Sequence, residues 1–215
     1  MQSFDKLYYF ADPMCSWCYG FGPTVAAFAA NHADYPITPV MGGLRPYTKA
    51  ALGEAQRKEI RTHWHHVEEA SGLLFNDAML MQPGFIYDTE PACRAVVVVR
   101  ERFAGDDAAN ALAYLRAVQI AFYRDARDVT QPAVLADIAH ECGVDRASFA
   151  DAFQSVAMQE AVRGDFALTQ SVGIRGFPAL CAARGNALFM IASGFTTAES
   201  LAQQFQQLSQ TPRQY

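Results

Sequence analysis

A long helical segment in the middle of the chain constrains the fold more than any other feature. Residues 49–173 have a helical pattern almost throughout, interrupted by a loop rich in turn residues at 76–85. Apolar runs of strand length flank it at 7–11 and 36–44, and a Gly-Asn hairpin signal follows at 185–186. This order predicts an α/β fold whose two halves come from opposite ends of the chain.

We therefore expect two units that pack closely, because no flexible linker separates them. Residues 1–46 and 166–215 form one discontinuous α/β domain, and residues 47–165 form an all-α helical insertion. Inside the insertion, the β-branched run at 96–99 favours strand by propensity. The preceding start signal, with Thr89 as N-cap and a proline two residues later, predicts helix instead.

Composition excludes several classes of partner. The 215 residues carry a formal net charge of −5, which gives no electrostatic reason to bind nucleic acid. No apolar run is long enough to span a bilayer, so we expect no membrane partner. The first residues lack the pattern of a secretory signal, which predicts a cytoplasmic location.

Two cysteines follow the first predicted strand, in the stretch ADPMCSWCYGFGP. The spacing of Cys15 and Cys18 at a helix start puts the first thiol over the free N–H groups and the positive dipole end, which favour a thiolate. Cys15 is then the expected nucleophile in thiol–disulfide exchange and Cys18 the resolving thiol. Ser16 and Trp17, between them, carry no charge. The competing interpretation is zinc, but no second Cys pair completes four ligands, so we expect no metal.

The other cysteines, Cys93, Cys142 and Cys181, are isolated in the sequence. Free cysteines of this kind are usually small buried hydrophobes, and we expect all three to be buried in the core.

A histidine cluster, HWHH, lies in the helical insertion. His63 and His66 have helical i, i+3 spacing, but no carboxylate or Cys completes a metal motif around them and His65. We expect a solvated or packing face, or side chains that line a cleft above the cysteine pair.

The chain resembles the DsbA-like branch of the thioredoxin superfamily, which has an N-terminal CxxC, a helical insertion and a late Gly-Phe-Pro. Within that branch it is most similar to the predicted protein-disulfide isomerases related to FrnE. The residues that carry this likeness are Asp12, Cys15, Trp17, Cys18 and Tyr19.

This resemblance implies a thioredoxin-like fold and a dithiol–disulfide oxidoreductase or protein disulfide isomerase, with Cys15 and Cys18 as catalytic residues. It also implies that Pro178 is a cis-proline in a loop facing the pair. The backbone of Phe177 would then pair with an extended peptide substrate, and Trp17 would contact it.

One position departs from the family pattern. Thioredoxin and DsbA-type proteins often place a buried carboxylate six residues before the first Cys, where this chain has Tyr9. Asp12 is the substitute we would expect as a proton relay, although it could instead cap the active-site helix.

The expected partners are protein or peptide thiols and disulfides, with no resident cofactor. Glutathione would be a co-substrate, and glutathione or a thioredoxin-type protein a recycling partner. The alternative is a glutathione-dependent isomerase or a kappa-type glutathione transferase, which resemble this architecture but typically lack the second Cys. A third interpretation is a metal-binding or peptide-binding module without catalysis. Retention of Cys15 and Cys18 favours the oxidoreductase.

Overall fold

The computed structural model describes residues 4–105 and 108–210. Within them, the strands are β1 (Lys6–Ala11), β2 (Ile37–Met41), β3 (Ala179–Arg184) and β4 (Ala187–Ser193). These four strands form one mixed sheet in the order β2-β1-β3-β4. β1 is parallel to β2 and antiparallel to β3, and β3 and β4 form the predicted hairpin.

Eight helices accompany this sheet in the described part of the chain, and six of them lie between β2 and β3. They are α1 (Ser16–Asn31), α2 (Glu54–Ser71), α3 (Glu90–Arg102), α4 (Ala108–Tyr123), α5 (Pro132–Glu141), α6 (Arg146–Gln154), α7 (Val156–Ser171) and α8 (Ala198–Gln210). The expected α/β fold with a large helical insertion is therefore confirmed. The division at residues 46/47 and 165/166 stays a prediction, and its second boundary falls inside α7.

Both faces of β1 are covered by apolar side chains. Leu7, Tyr9 and Ala11 point into the main core, which continues without a break into the helical insertion. Phe10 belongs instead to a small cluster on the other face, together with Val40. Because successive side chains of a strand alternate between faces, Tyr9 faces the same core as the cysteine pair.

The active-site helix α1 begins directly after Cys15, so the cysteine pair lies at a helix start as expected. The helix runs from Ser16 to Asn31, and Pro23 lies in its interior. Proline has no N–H for the carbonyl four residues earlier, that of Tyr19. Arg116 of α4 donates from Nη1 to this oxygen at 2.8 Å and so replaces the missing bond.

The other local predictions had mixed outcomes. Residues 96–99 are helical, as the start signal predicted, and the Asp145 carboxylate caps α6 by accepting from Ser148 N. Thr89 is the N-cap of α3, but its hydroxyl makes no capping bond because Oγ1 accepts from Arg45 N instead. No helix in the described ranges is long and apolar enough to cross a bilayer.

A buried ion pair joins the helical insertion to the sheet. The Asp165 carboxylate on α7 accepts from both terminal nitrogens of Arg100 on α3, at 2.7 and 2.9 Å, and from Met41 N on β2 at 2.8 Å. Arg100 also donates to the Pro39 carbonyl at 2.7 Å. Three elements therefore meet at one carboxylate.

We expect Asp165→Ala to lower the free energy of unfolding by about 3–5 kcal/mol, because it leaves the Arg100 charge buried without a partner. Urea unfolding would measure this, with Asp151→Ala on the exposed face of α6 as the control. Equal effects of the two substitutions would contradict this role for the ion pair.

Candidate active site

The cysteine pair lies at the start of α1, directly after β1. Cys15 is the N-cap residue of the helix and no side chain caps it. Its carbonyl accepts the first helical bond, from Tyr19 N, at 3.0 Å. Cys15 is 6% exposed and Cys18, almost one turn further on, is 0% exposed. Both are free thiols, so the outer one can meet a partner molecule while the inner one is shielded.

A loop from the other end of the chain faces Cys15. The Cys15 thiol donates to the carbonyl of Phe177 at 3.7 Å, across 162 residues of sequence. The Phe177–Pro178 peptide bond is cis, and Pro178 is buried directly before β3. The Phe177 ring packs over Gly42 at the end of β2, so closely that a Cβ built on Gly42 would lie 1.9 Å from Cζ of the ring.

The environment of Cys18 favours the protonated thiol. Burial raises the pKa of the Cys18 thiol well above its usual range, and the neighbouring Cys15 raises it further. Cys18 thus has to lose its proton at the moment when it reacts, and the groups around it decide how easily that happens.

Tyr9, the residue that replaces the expected acid, faces Cys18 from β1. Its hydroxyl interacts electrostatically with the Cys18 thiol, yet it has no hydrogen-bond partner of normal geometry among the described residues. Burial raises the pKa of Tyr9 well above its usual range, and the nearby thiols raise it further. Tyr9 is therefore a neutral phenol with a hydrogen to donate.

Asp12 is completely buried, but it does not cap α1. Its carboxylate accepts from Met14 N at 2.8 Å and from Leu44 N at 2.6 Å, and the Cys93 thiol donates to it at 3.4 Å. Burial raises the pKa of Asp12, and these backbone N–H groups oppose the rise. Because Met14 precedes the helix, the expected cap is not formed, and the carboxylate instead holds the loop before Cys15 against the loop after β2.

The cleft in front of Cys15 has a volume of about 290 Å³. Trp17 borders it and also packs on Phe195, with ring centroids 5.6 Å apart. His63 borders it from α2, as one of the predictions for the histidines expected, whereas His65 pairs with Glu68 and Glu69 at the surface. The described residues contain no cluster of three or more His, Cys, Asp or Glu side chains that could hold a metal.

Two cleft residues were missed by the sequence interpretation. Arg45, in the loop after β2, and Arg175, two residues before Phe177, are exposed and line the cleft. Arg175 could have been found from its place in the GIRGFP stretch. No local sequence pattern marks Arg45, because its loop lies near the cysteines only once the sheet has formed.

The three isolated cysteines differ from one another. Cys93 is buried against Asp12, and Cys181 is buried with its thiol 3.7 Å from the Met190 sulfur. Cys142 is exposed, so the expectation that it is buried was wrong. It is the C-cap residue of α5, where the chain leaves the helix and turns outward at Gly143.

Comparisons with known proteins bear on the fold of the whole chain. The family model described as "DSBA-like thioredoxin domain" matches residues 6–206. A solved structure described as a "putative protein disulfide isomerase from Nitrosomonas europaea" is 34% identical, with a TM-score of 0.87, over 95% of this chain and 97% of that one. No curated protein sequence matches the chain.

More distant structures share the fold. The cytosolic disulfide reductase DsbM from Pseudomonas aeruginosa is 24% identical with a TM-score of 0.77, over 94% of this chain and 98% of that one. A 2-hydroxychromene-2-carboxylate isomerase is 12% identical with a TM-score of 0.61, over 94% and 93% of the two chains.

The packing of Phe177 on Gly42 leads to a stability prediction. We expect Gly42→Ala to lower the free energy of unfolding by about 1–3 kcal/mol, because the added methyl group overlaps the ring. Urea unfolding of Gly42→Ala, of Phe177→Ala and of the double variant would measure the coupling between the two positions. The loss of stability caused by Gly42→Ala should be smaller in the Phe177→Ala background, where the ring is absent.

Gly176→Ala is the matched control in the same loop, because a Cβ there has no heavy atom within 4 Å. The packing argument fails if Gly42→Ala costs as much without the Phe177 ring as with it.

Proposed function

The chain belongs to the family of DSBA-like thioredoxin domains and is a dithiol–disulfide oxidoreductase, and we propose that Cys15 and Cys18 are its redox pair. The observation that carries the proposal is the contact between the Cys15 thiol and the carbonyl of Phe177 at the mouth of a cleft. The position of Cys18 also supports the proposal. Cys18 is buried directly behind Cys15, close to that thiol but inaccessible to solvent.

The proposed reaction divides the work between the two thiols. The Cys15 thiolate attacks a substrate disulfide, forms a mixed disulfide with one substrate sulfur and releases the other as a thiolate. Cys18 then loses its proton and attacks the Cys15 sulfur. This step forms the Cys15–Cys18 disulfide, releases the second substrate thiolate and leaves the substrate reduced by two electrons.

Substrate would lie across the loop that contains the cis peptide bond. The backbone of Phe177 can pair with an extended peptide in the manner of an added strand, and Pro178 holds that backbone next to Cys15. Trp17 offers an apolar surface beside the nucleophile. The exposed guanidinium groups of Arg45 and Arg175 favour substrates that carry carboxylates, so glutathione is a suitable co-substrate as well as a peptide thiol or disulfide.

We assign the protein to disulfide reduction or isomerisation in the cytoplasm, because a reducing compartment keeps the pair as dithiol. The reduction potential of the pair tests the direction of electron flow. A value near about −270 mV would support a reductant, whereas a value near about −120 mV would make the protein an oxidant.

An insulin-reduction assay tests the redox pair itself. We expect Cys15→Ser to abolish activity, because the attacking sulfur is gone. Cys18→Ser should instead accumulate a mixed disulfide at Cys15, because the resolving sulfur is gone, and mass spectrometry would identify it.

Cys142→Ser is the matched control, because this exposed thiol lies at the C-cap of α5 and does not line the cleft, and it should retain full activity. Wild-type activity in Cys15→Ser would refute the assignment. Glutathione-dependent isomerisation without dithiol activity would favour the glutathione-dependent isomerase instead.

For the proton of Cys18, we propose that Tyr9 acts as a positioning residue in place of the Asp12 relay. The Asp12 carboxylate is occupied by two backbone N–H groups and the Cys93 thiol, whereas the Tyr9 hydroxyl is unpartnered and faces Cys18. A neutral phenol can donate a hydrogen bond to the Cys18 thiolate as it forms. A hydrogen bond to a charged group is worth about 1.5–3 kcal/mol.

We therefore expect Tyr9→Phe to slow the resolution of a Cys15–glutathione mixed disulfide about tenfold near neutral pH. In this variant the rate should begin to rise at a higher pH than in the wild type, because the Cys18 thiol has a higher pKa without the hydrogen bond from Tyr9. Stopped-flow measurement across pH would show both effects. Tyr8→Phe, on the opposite face of β1, is the control and should behave as wild type.

A further inference from the structure

A second cavity lies between α1 and α4, apart from the cleft at Cys15. This α1–α4 cavity has a volume of about 670 Å³, which is within the range of about 300–1,000 Å³ that small-molecule sites occupy. Among the described residues, none lines both the cavity and the cleft. Its walls are mainly apolar and include Val25, Ile37, Leu112, Leu115 and several alanines of α1.

A buried amide nitrogen lines this cavity without a partner. The Gln119 amide nitrogen makes no hydrogen bond within the described part of the chain, although the residue is only 1% exposed, while its amide oxygen accepts from Arg116 Nη1 at 3.5 Å. Buried polar groups are almost always bonded, and an unpaired one is destabilising. An amide nitrogen donates a hydrogen bond, so a ligand atom that satisfies it has to be an acceptor.

Arg116 brings a positive charge to the same wall. Its guanidinium donates to the Tyr19 carbonyl at 2.8 Å and stacks over the Tyr19 ring, 4.6 Å from its centre, so its position is well defined. Burial lowers the pKa of Arg116, and no carboxylate within the described ranges forms an ion pair with it. Partly buried cations normally have an anionic partner.

From these groups we infer that the α1–α4 cavity binds a small apolar carboxylate. One carboxylate oxygen would accept from the Gln119 amide nitrogen, and the carboxylate would balance the charge of Arg116. The hydrocarbon part would lie along Val25, Leu112 and the alanines of α1.

Other occupants fit the cavity less well. A neutral apolar compound would leave the guanidinium charge unbalanced, and a sugar or a nucleotide would put polar groups against apolar walls. Water could pair with Gln119, but it would gain little from the rest of the surface. The site does not depend on the redox reaction, so its failure and that of the proposed function are separate results.

Isothermal titration calorimetry of the full chain with sodium octanoate tests the inference. We expect saturable binding with one octanoate per chain. The neutral analogue 1-octanol should bind at least about tenfold more weakly, because a charge-assisted hydrogen bond is worth more than tenfold in affinity.

Three variants locate the site. Ala26→Phe should abolish octanoate binding by filling the cavity, whereas Ala27→Phe, its exposed neighbour outside the cavity, should bind as wild type does. Gln119→Leu should weaken binding about tenfold, because it removes the amide nitrogen that is left to donate to the ligand.

Absence of octanoate binding at millimolar concentration would overturn the inference. Equal affinity for octanol would also overturn it, because the carboxylate would then play no part. Binding that survives Ala26→Phe would place the ligand elsewhere and refute the site.

Discussion

The antiparallel pairing of β1 with β3 is the interaction on which the rest of the structure depends. It joins two segments that are about 170 residues apart and sets Phe10 opposite Ala179. The loop that follows β1 and the loop that precedes β3 therefore meet at the same edge of the sheet. The first carries Cys15 and the second carries Phe177, and the thiol of one reaches the carbonyl of the other only because of this register.

Buried carboxylates hold the remaining parts of the site against this sheet. Asp12 ties the loop before Cys15 to the loop after β2, and Asp165 ties α3 and α7 to the end of β2. Each accepts from backbone N–H groups, which offset the cost of burying its charge. The helical insertion is thus bonded to the strand end that supports the active site, as well as packed against it.

Tyr9 lies between the cysteine pair and the α1–α4 cavity. Its hydroxyl faces Cys18 and the residue also lines the α1–α4 cavity, while Arg116 on α4 replaces the hydrogen bond that Pro23 removes from α1. A family position that often holds an acid is therefore filled here by a neutral donor. The change follows from local chemistry, since a phenol can be buried at that depth without carrying a charge.

The sequence by itself determined the order of elements, the hairpin at Gly185-Asn186 and the pairing of Cys15 with a helix start, because these depend on local periodicity, turn residues and spacing. It missed the exposure of Cys142 and the contributions of Arg45 and Arg116, which have no local signature. Only the tertiary structure decided that Asp12 braces two loops and that Tyr9 meets Cys18. Such contacts join residues distant in sequence, and burial decides which of their polar groups are paired.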